Sequence, residues 1–101
     1  MSEEFSPEPL ASSTQRSEKP LVLVVDDDMA GLLMASEALA SEGFSVIEAE
    51  DGQEAIEQFI EHQPDVVIMD VVMPRMDGFE SCAGIRQSAG GQHVPILMVT
   101  G

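Results

Sequence analysis

Three stretches of this chain are apolar without interruption: Leu21-Val22-Leu23-Val24-Val25, Val66-Val67-Ile68-Met69 and Pro95-Ile96-Leu97-Met98-Val99-Thr100. The first two, with four or five large apolar residues and no alternation, predict strands buried on both faces, as parallel strands covered by helices are; the last, apolar from Ile96 to Val99 and ending in a hydroxyl, is expected to be a strand at an open edge. A fourth stretch, Phe44 to Glu48, alternates in part and reads as an edge strand. Between these runs the pattern changes to helical spacing. Met29 to Glu42 is predicted helical, with Met34, Ala35, Ala38 and Leu39 on one apolar face and Gly43 as its C-terminal stop. Leu32 and Leu33 cannot both join that face, so at least one is left to solvent. Asp51 or Gly52 opens a second helix, buried through Ala55, Ile56, Phe59 and Ile60, that ends before Pro64. Asp77 is suited to cap a third, running to about Ser88, with Phe79, Cys82, Ala83 and Ile85 or Arg86 near the sheet, before Gly90-Gly91 breaks it. The order β-α-β-α-β-α-β implies right-handed parallel units and an α/β doubly wound sheet.

Composition narrows this picture. The 101 residues amount to one small domain. Residues 1–20 are rich in Ser, Pro and Glu, with Phe5 and Leu10 as the large apolar side chains, and are expected to be a flexible leader to a domain over 21–101. Nineteen acidic residues against four basic ones give a net charge of −15, so nucleic acid and anionic lipid would be repelled by these residues. A divalent cation or a basic partner suits that excess. A single cysteine, Cys82, excludes an internal disulfide and fits a reducing compartment. No basic and apolar signal opens the chain and no stretch is long enough to span a bilayer, so the cytoplasm is the expected location.

The charge is not spread evenly. Asp26-Asp27-Asp28 follows the first strand, Asp70 ends the third and Thr100 ends the fourth, so the topology brings them to the carboxyl edge of the sheet, where open α/β folds build their sites. Carboxylates gathered there repel until a proton or a cation neutralises them. Oxygen donors without a nearby His or Cys favour a hard ion, and Mg2+ is usual where phosphate is handled. Phosphoryl chemistry follows, with Asp70 as the nucleophile and Asp27 and Asp70 holding the ion. The Thr100 hydroxyl would donate to a phosphate oxygen. His62 and His93 each stand alone near a loop and read as surface residues.

Three segments in register, Val24-Val25-Asp26-Asp27-Asp28, Met69 to Gly78, and Val94 to Gly101, resemble the receiver domains of two-component response regulators. The resemblance covers residues 21–101. It implies a flavodoxin-like sheet of order 2-1-3-4, a phosphoacceptor signalling domain and not an enzyme, and Asp70 taking a phosphoryl group from a histidine kinase or histidine phosphotransfer protein. It also implies Mg2+ bound directly by Asp27 and Asp70, through water by Asp26, and by the backbone carbonyl of Val72, with Thr100 as the switch hydroxyl. Val72 stands where many relatives carry a polar residue, which implies slow hydrolysis of the phosphate.

The pattern departs from the family after the fourth strand. Receivers continue with a helix, a fifth strand bearing an active-site lysine and a last helix; the sole lysine here is Lys19, ahead of the first strand. The fifth strand is absent from this chain, which reads as part of a longer protein or as one that completes its sheet by dimerising or swapping. Two other readings stand beside it. The Asp26-x-Asp28 pair resembles that of haloacid-dehalogenase-type phosphatases, without the Gly-Thr that follows it there. The scaffold could also serve as an interaction module that is never phosphorylated.

Overall fold

The computed structural model describes residues 19–71 and 77–99. The elements alternate in the expected order: β1 Leu21–Val25, α1 Met29–Ser41, β2 Ser45–Ala49, α2 Gly52–His62, β3 Val66–Asp70, α3 Gly78–Gln87 and β4 Ile96–Val99. All strand pairings are parallel and the sheet order is β2-β1-β3-β4. This is the flavodoxin-like doubly wound arrangement.

Strand geometry sorts the core into two halves, because successive side chains point to opposite faces. Leu23 and Val25 of β1, Val67 and Met69 of β3, and Ile96 and Met98 of β4 pack with Ala55 and Phe59 of α2 and Ile85 of α3. Val22, Val24, Val66 and Ile68 face the other way, onto Leu32, Ala35 and Leu39 of α1. Among the described residues one helix, α1, packs on this face. It lies over β1 and β2, so Leu97 and Val99 on the same face of β4 stay exposed, at 55% and 44%.

Helix faces are where the structure corrects the sequence reading. In α1 the buried row is Leu32, Ala35 and Leu39, spaced i, i+3, i+7; Met34 is 71% exposed and Ala38 is also exposed. Met34 lies two residues from Leu32, about 200° around the helix, so the two cannot share a face. Leu33 is the exposed member of the Leu pair. In α2, Ala55 and Phe59 are buried and Ile56 is packed beside them, but Ile60 is exposed. In α3 the buried residues are Gly78, Ser81 and Ile85, whereas Phe79 and Ala83 are exposed and Cys82 is half-buried. Small residues occupy the inner face there because the helix starts hard against β3. Ser81 tolerates full burial since its hydroxyl donates to the Asp77 carbonyl at 3.0 Å.

The element ends follow the expected chemistry. The Asp51 side chain accepts from the Glu54 amide at 2.8 Å, capping α2. Asp77 and Glu80 form a capping box on α3, each side chain accepting from the other's backbone N–H. Gln63 ends α2 in the left-handed conformation, and its side-chain amide donates to the carbonyls of Phe59, Ile60 and Ala89, tying α2 to the α3–β4 loop.

Candidate functional site

The carboxyl edge of the sheet is built by two inner strands. Asp70 is the last residue of β3, pairs in register with Val99 of β4, and is 8% exposed. It shares the parity of Val66 and Ile68, which places it on the α1 face of the sheet. Asp26 follows Val25 and still belongs to the ladder, its amide donating to the Ala49 carbonyl at 3.1 Å. The same alternation gives it the parity of Val22 and Val24, hence the same face. Asp27 comes next and is exposed. The three carboxylates converge: one oxygen from each of Asp26, Asp27 and Asp70 lies within 4.8 Å of the others.

At that spacing each pair of charges repels by about 3 kcal/mol with an effective dielectric of ~20, an amount that solvent reduces at exposed Asp27. Neither the lysine nor the arginine among the described residues lies at this edge. Lys19 precedes the amino end of β1, and Arg86, in the last turn of α3, donates to the Gly91 and Val94 carbonyls. The donor set is oxygen throughout, as a hard cation requires, and two ligands on opposite sides of Mg2+ would stand about 4.2 Å apart. The cluster fits such an ion directly or with one carboxylate reaching it through water.

Backbone contacts hold the acidic residues in place. Oδ1 of Asp26 accepts from the Asp28 amide at 3.0 Å. Asp28 itself is the N-cap residue of α1 and its carboxylate is outside the cluster. The Val71 amide donates to Val99 at 3.0 Å, and the Gly78 amide donates back to the Val71 carbonyl at 2.9 Å, so the first residue of α3 closes on the end of β3. A Cβ at Gly78 would stand 2.6 Å from the Asp70 carbonyl oxygen and 2.6 Å from the Val71 Cα, closer than any side chain permits. Sequence reasoning missed this role for Gly78; its place right after a helix-capping Asp is the signal that could have shown it.

Of the sequence-predicted site residues, Asp26, Asp27 and Asp70 are thus brought together. Val72 and Thr100 lie outside the described residues. His62 and His93 are exposed and outside the cluster, His62 standing 3.9 Å from Glu61.

Comparison with known proteins agrees with this geometry. The model of the response regulator receiver domain matches residues 22–101. The response regulator MprA of Mycolicibacterium vanbaalenii is 43% identical over 79 residues, 78% of this chain and 33% of its own length; this chain spans about a third of that relative. The chemotaxis protein CheY4 of Vibrio cholerae superposes with a TM-score of 0.77 at 39% identity, over 79% of this chain and 67% of CheY4. The receiver domain of the sensor histidine kinase PA1611 from Pseudomonas aeruginosa, solved with a magnesium ion coordinated in its active-site cleft, superposes with a TM-score of 0.78 at 28% identity, over 81% of this chain and 67% of that domain. A parallel 2-1-3-4 sheet, an acidic cluster at its carboxyl edge and a family match over residues 22–101 lead to one conclusion: the chain belongs to the response regulator receiver domains of two-component signalling.

Proposed function

We propose that this domain accepts a phosphoryl group on the Asp70 carboxylate from a histidine kinase or a histidine phosphotransfer protein, in a Mg2+-dependent reaction, and so switches an output. The observation that carries the reading is the placement of Asp70 at the end of an inner strand, beside Asp26 and Asp27 at an open edge. In the transfer a carboxylate oxygen of Asp70 attacks phosphorus as the N–P bond of the phosphohistidine breaks; the imidazole nitrogen keeps the bonding pair and takes up a proton. When bound, a hard divalent cation supplies charge neutralisation for the transferring oxygens. Asp27 and Asp70 would hold it directly and Asp26 through water. Val72 would add its backbone carbonyl to that ligand set, and Thr100 would offer the hydroxyl that reads the phosphate; it directly follows Val99, the partner of Asp70 in the sheet.

The domain acts as a phosphoacceptor, with the acidic cluster assisting its own loading. The chain's charge of −15 argues against direct contact with nucleic acid or anionic membrane by these residues. No described helix is long and apolar enough to cross a membrane, which is consistent with action in the cytoplasm.

Phosphoramidate tests the reading because it carries the N–P bond of phosphohistidine. After incubation with it and Mg2+, borohydride converts an acyl phosphate into an alcohol, leaving homoserine where an aspartate was loaded. Peptide mapping should find homoserine at position 70 and depend on Mg2+. Homoserine at position 26 would point instead to a phosphatase-like nucleophile, and no conversion in folded protein would point to an interaction module.

A further inference from the structure

Gly31 is the third residue of α1, inside a helix otherwise made of good helix formers. Glycine is a poor choice there by propensity alone, since its backbone loses the most freedom on folding. Its surroundings supply a reason. A Cβ at position 31 would stand 2.9 Å from Oδ2 of Asp26 and 3.3 Å from Oδ2 of Asp28, with the Asp26 Cγ at 3.7 Å. Asp26 is on the α1 face, so the first turn of α1 comes down onto its carboxylate. The other oxygen, Oδ1, is already held by the Asp28 amide at 3.0 Å. An added methyl group at 31 would therefore press on the carboxylate, which gives by a few tenths of an ångström and turns as a unit, straining that hydrogen bond or shifting Asp26 relative to Asp27 and Asp70.

We infer that Gly31 is a positioning residue of the acidic cluster: the missing side chain leaves room for Asp26 to stay within reach of a cation shared with Asp27 and Asp70. The inference rests on the metal reading given above. It separates two quantities that normally move together. Alanine at 31 favours the helix while disturbing the site, so metal-free stability holds or rises as affinity for the ion falls.

The test uses the full chain and Mg2+ alone. Isothermal titration calorimetry reads affinity, and circular dichroism of metal-free protein reads the thermal midpoint. G31A should bind Mg2+ about tenfold more weakly, the usual range for a residue that orients a ligand, with a midpoint at or above that of the parent. A30G, at the adjacent exposed helix position, should do the reverse, lowering the midpoint and leaving affinity unchanged. In a D26A background, adding G31A should change nothing further. Parental affinity in G31A would overturn the inference, as would an equal loss in the D26A background. So would a G31A chain that fails to fold, because the contacts within reach of the new methyl are side-chain carboxylates. If the parent protein itself binds no Mg2+, the metal reading fails, and the Asp28 amide resonance in metal-free protein still decides the role of Gly31: it shifts in G31A if the glycine sets the Asp26 carboxylate, and a resonance that stays put overturns the role.

Discussion

Asp26 and Asp70 meet through strand parity. Each continues the alternation of a strand whose even-numbered residues face α1, and the two strands are neighbours in the sheet. That the two aspartates share one edge of the sheet was legible in the sequence, since the apolar runs fix where each strand ends and the β-α-β order makes the strands parallel; the adjacency of the two strands was implied by the resemblance to receivers, and the face each carboxylate takes came from the structure. What the sequence did not reveal is how closely the backbone of two helices approaches these residues, at Gly31 and Gly78. The glycines lie close in sequence to the carboxylates they serve, Gly31 after Asp26 and Gly78 after Asp70, but only the fold turns each helix start back onto its strand end. Asp27 differs from Asp26 and Asp70 in being exposed, so its charge contributes repulsion to the metal-free cluster and little to packing. Asp27→Ala should weaken Mg2+ binding by about tenfold or more, measured by calorimetry, while leaving the metal-free thermal midpoint at or above that of the parent. Unchanged affinity would remove Asp27 from the ligand set.

Helices were harder to read than strands at the level of the element. The inner runs of β1 and β3 have little ambiguity, because the residues from Leu21 to Val25 and from Val66 to Met69 are all apolar and both faces of these strands are covered. In α1, by contrast, Met29, Leu32, Leu33, Met34, Ala35, Ala38 and Leu39 surround most of the circumference, and the pattern alone supports more than one buried face. Tertiary contact selects the row through Leu32, which packs with Val22 and Val24. Leu32→Ala should therefore cost about 2–5 kcal/mol, whereas Met34→Ala, at a solvent-facing position, should stay within about 0.5 kcal/mol of the parent. Urea unfolding followed by circular dichroism suits this comparison, since the chain has no Trp or Tyr to report by fluorescence. Equal losses for the two variants would mean that α1 is rotated about its axis. The caps were easier: Asp51 and Asp77 were legible because a side chain that accepts from the helix's first amides must sit at one sequence position.

Viewed as a whole molecule, the two faces of the sheet are unequally covered. Among the described residues two helices cover one face; α1 alone covers the other and stops short of β4, leaving Leu97 and Val99 exposed beside a strand edge. Parallel edges with apolar faces attract further strands, so this chain should self-associate with rising concentration despite its charge of −15. Sedimentation velocity should register the association and its decline in Leu97→Lys, with salt strengthening it by screening the repulsion; a chain that is monomeric at all concentrations would contradict this. The charge also makes the acidic edge, where Asp26, Asp27 and Asp70 converge, the place where a cation changes most. The central claim, that Asp70 takes up a phosphoryl group with the help of Mg2+, is tested most directly by weighing the intact protein after incubation with a small phosphodonor, with and without Mg2+, beside an Asp70→Asn control. The account predicts the gain of one phosphoryl group in the parent only, and only with Mg2+; no gain in a folded parent chain, or an equal gain in Asp70→Asn, would contradict it.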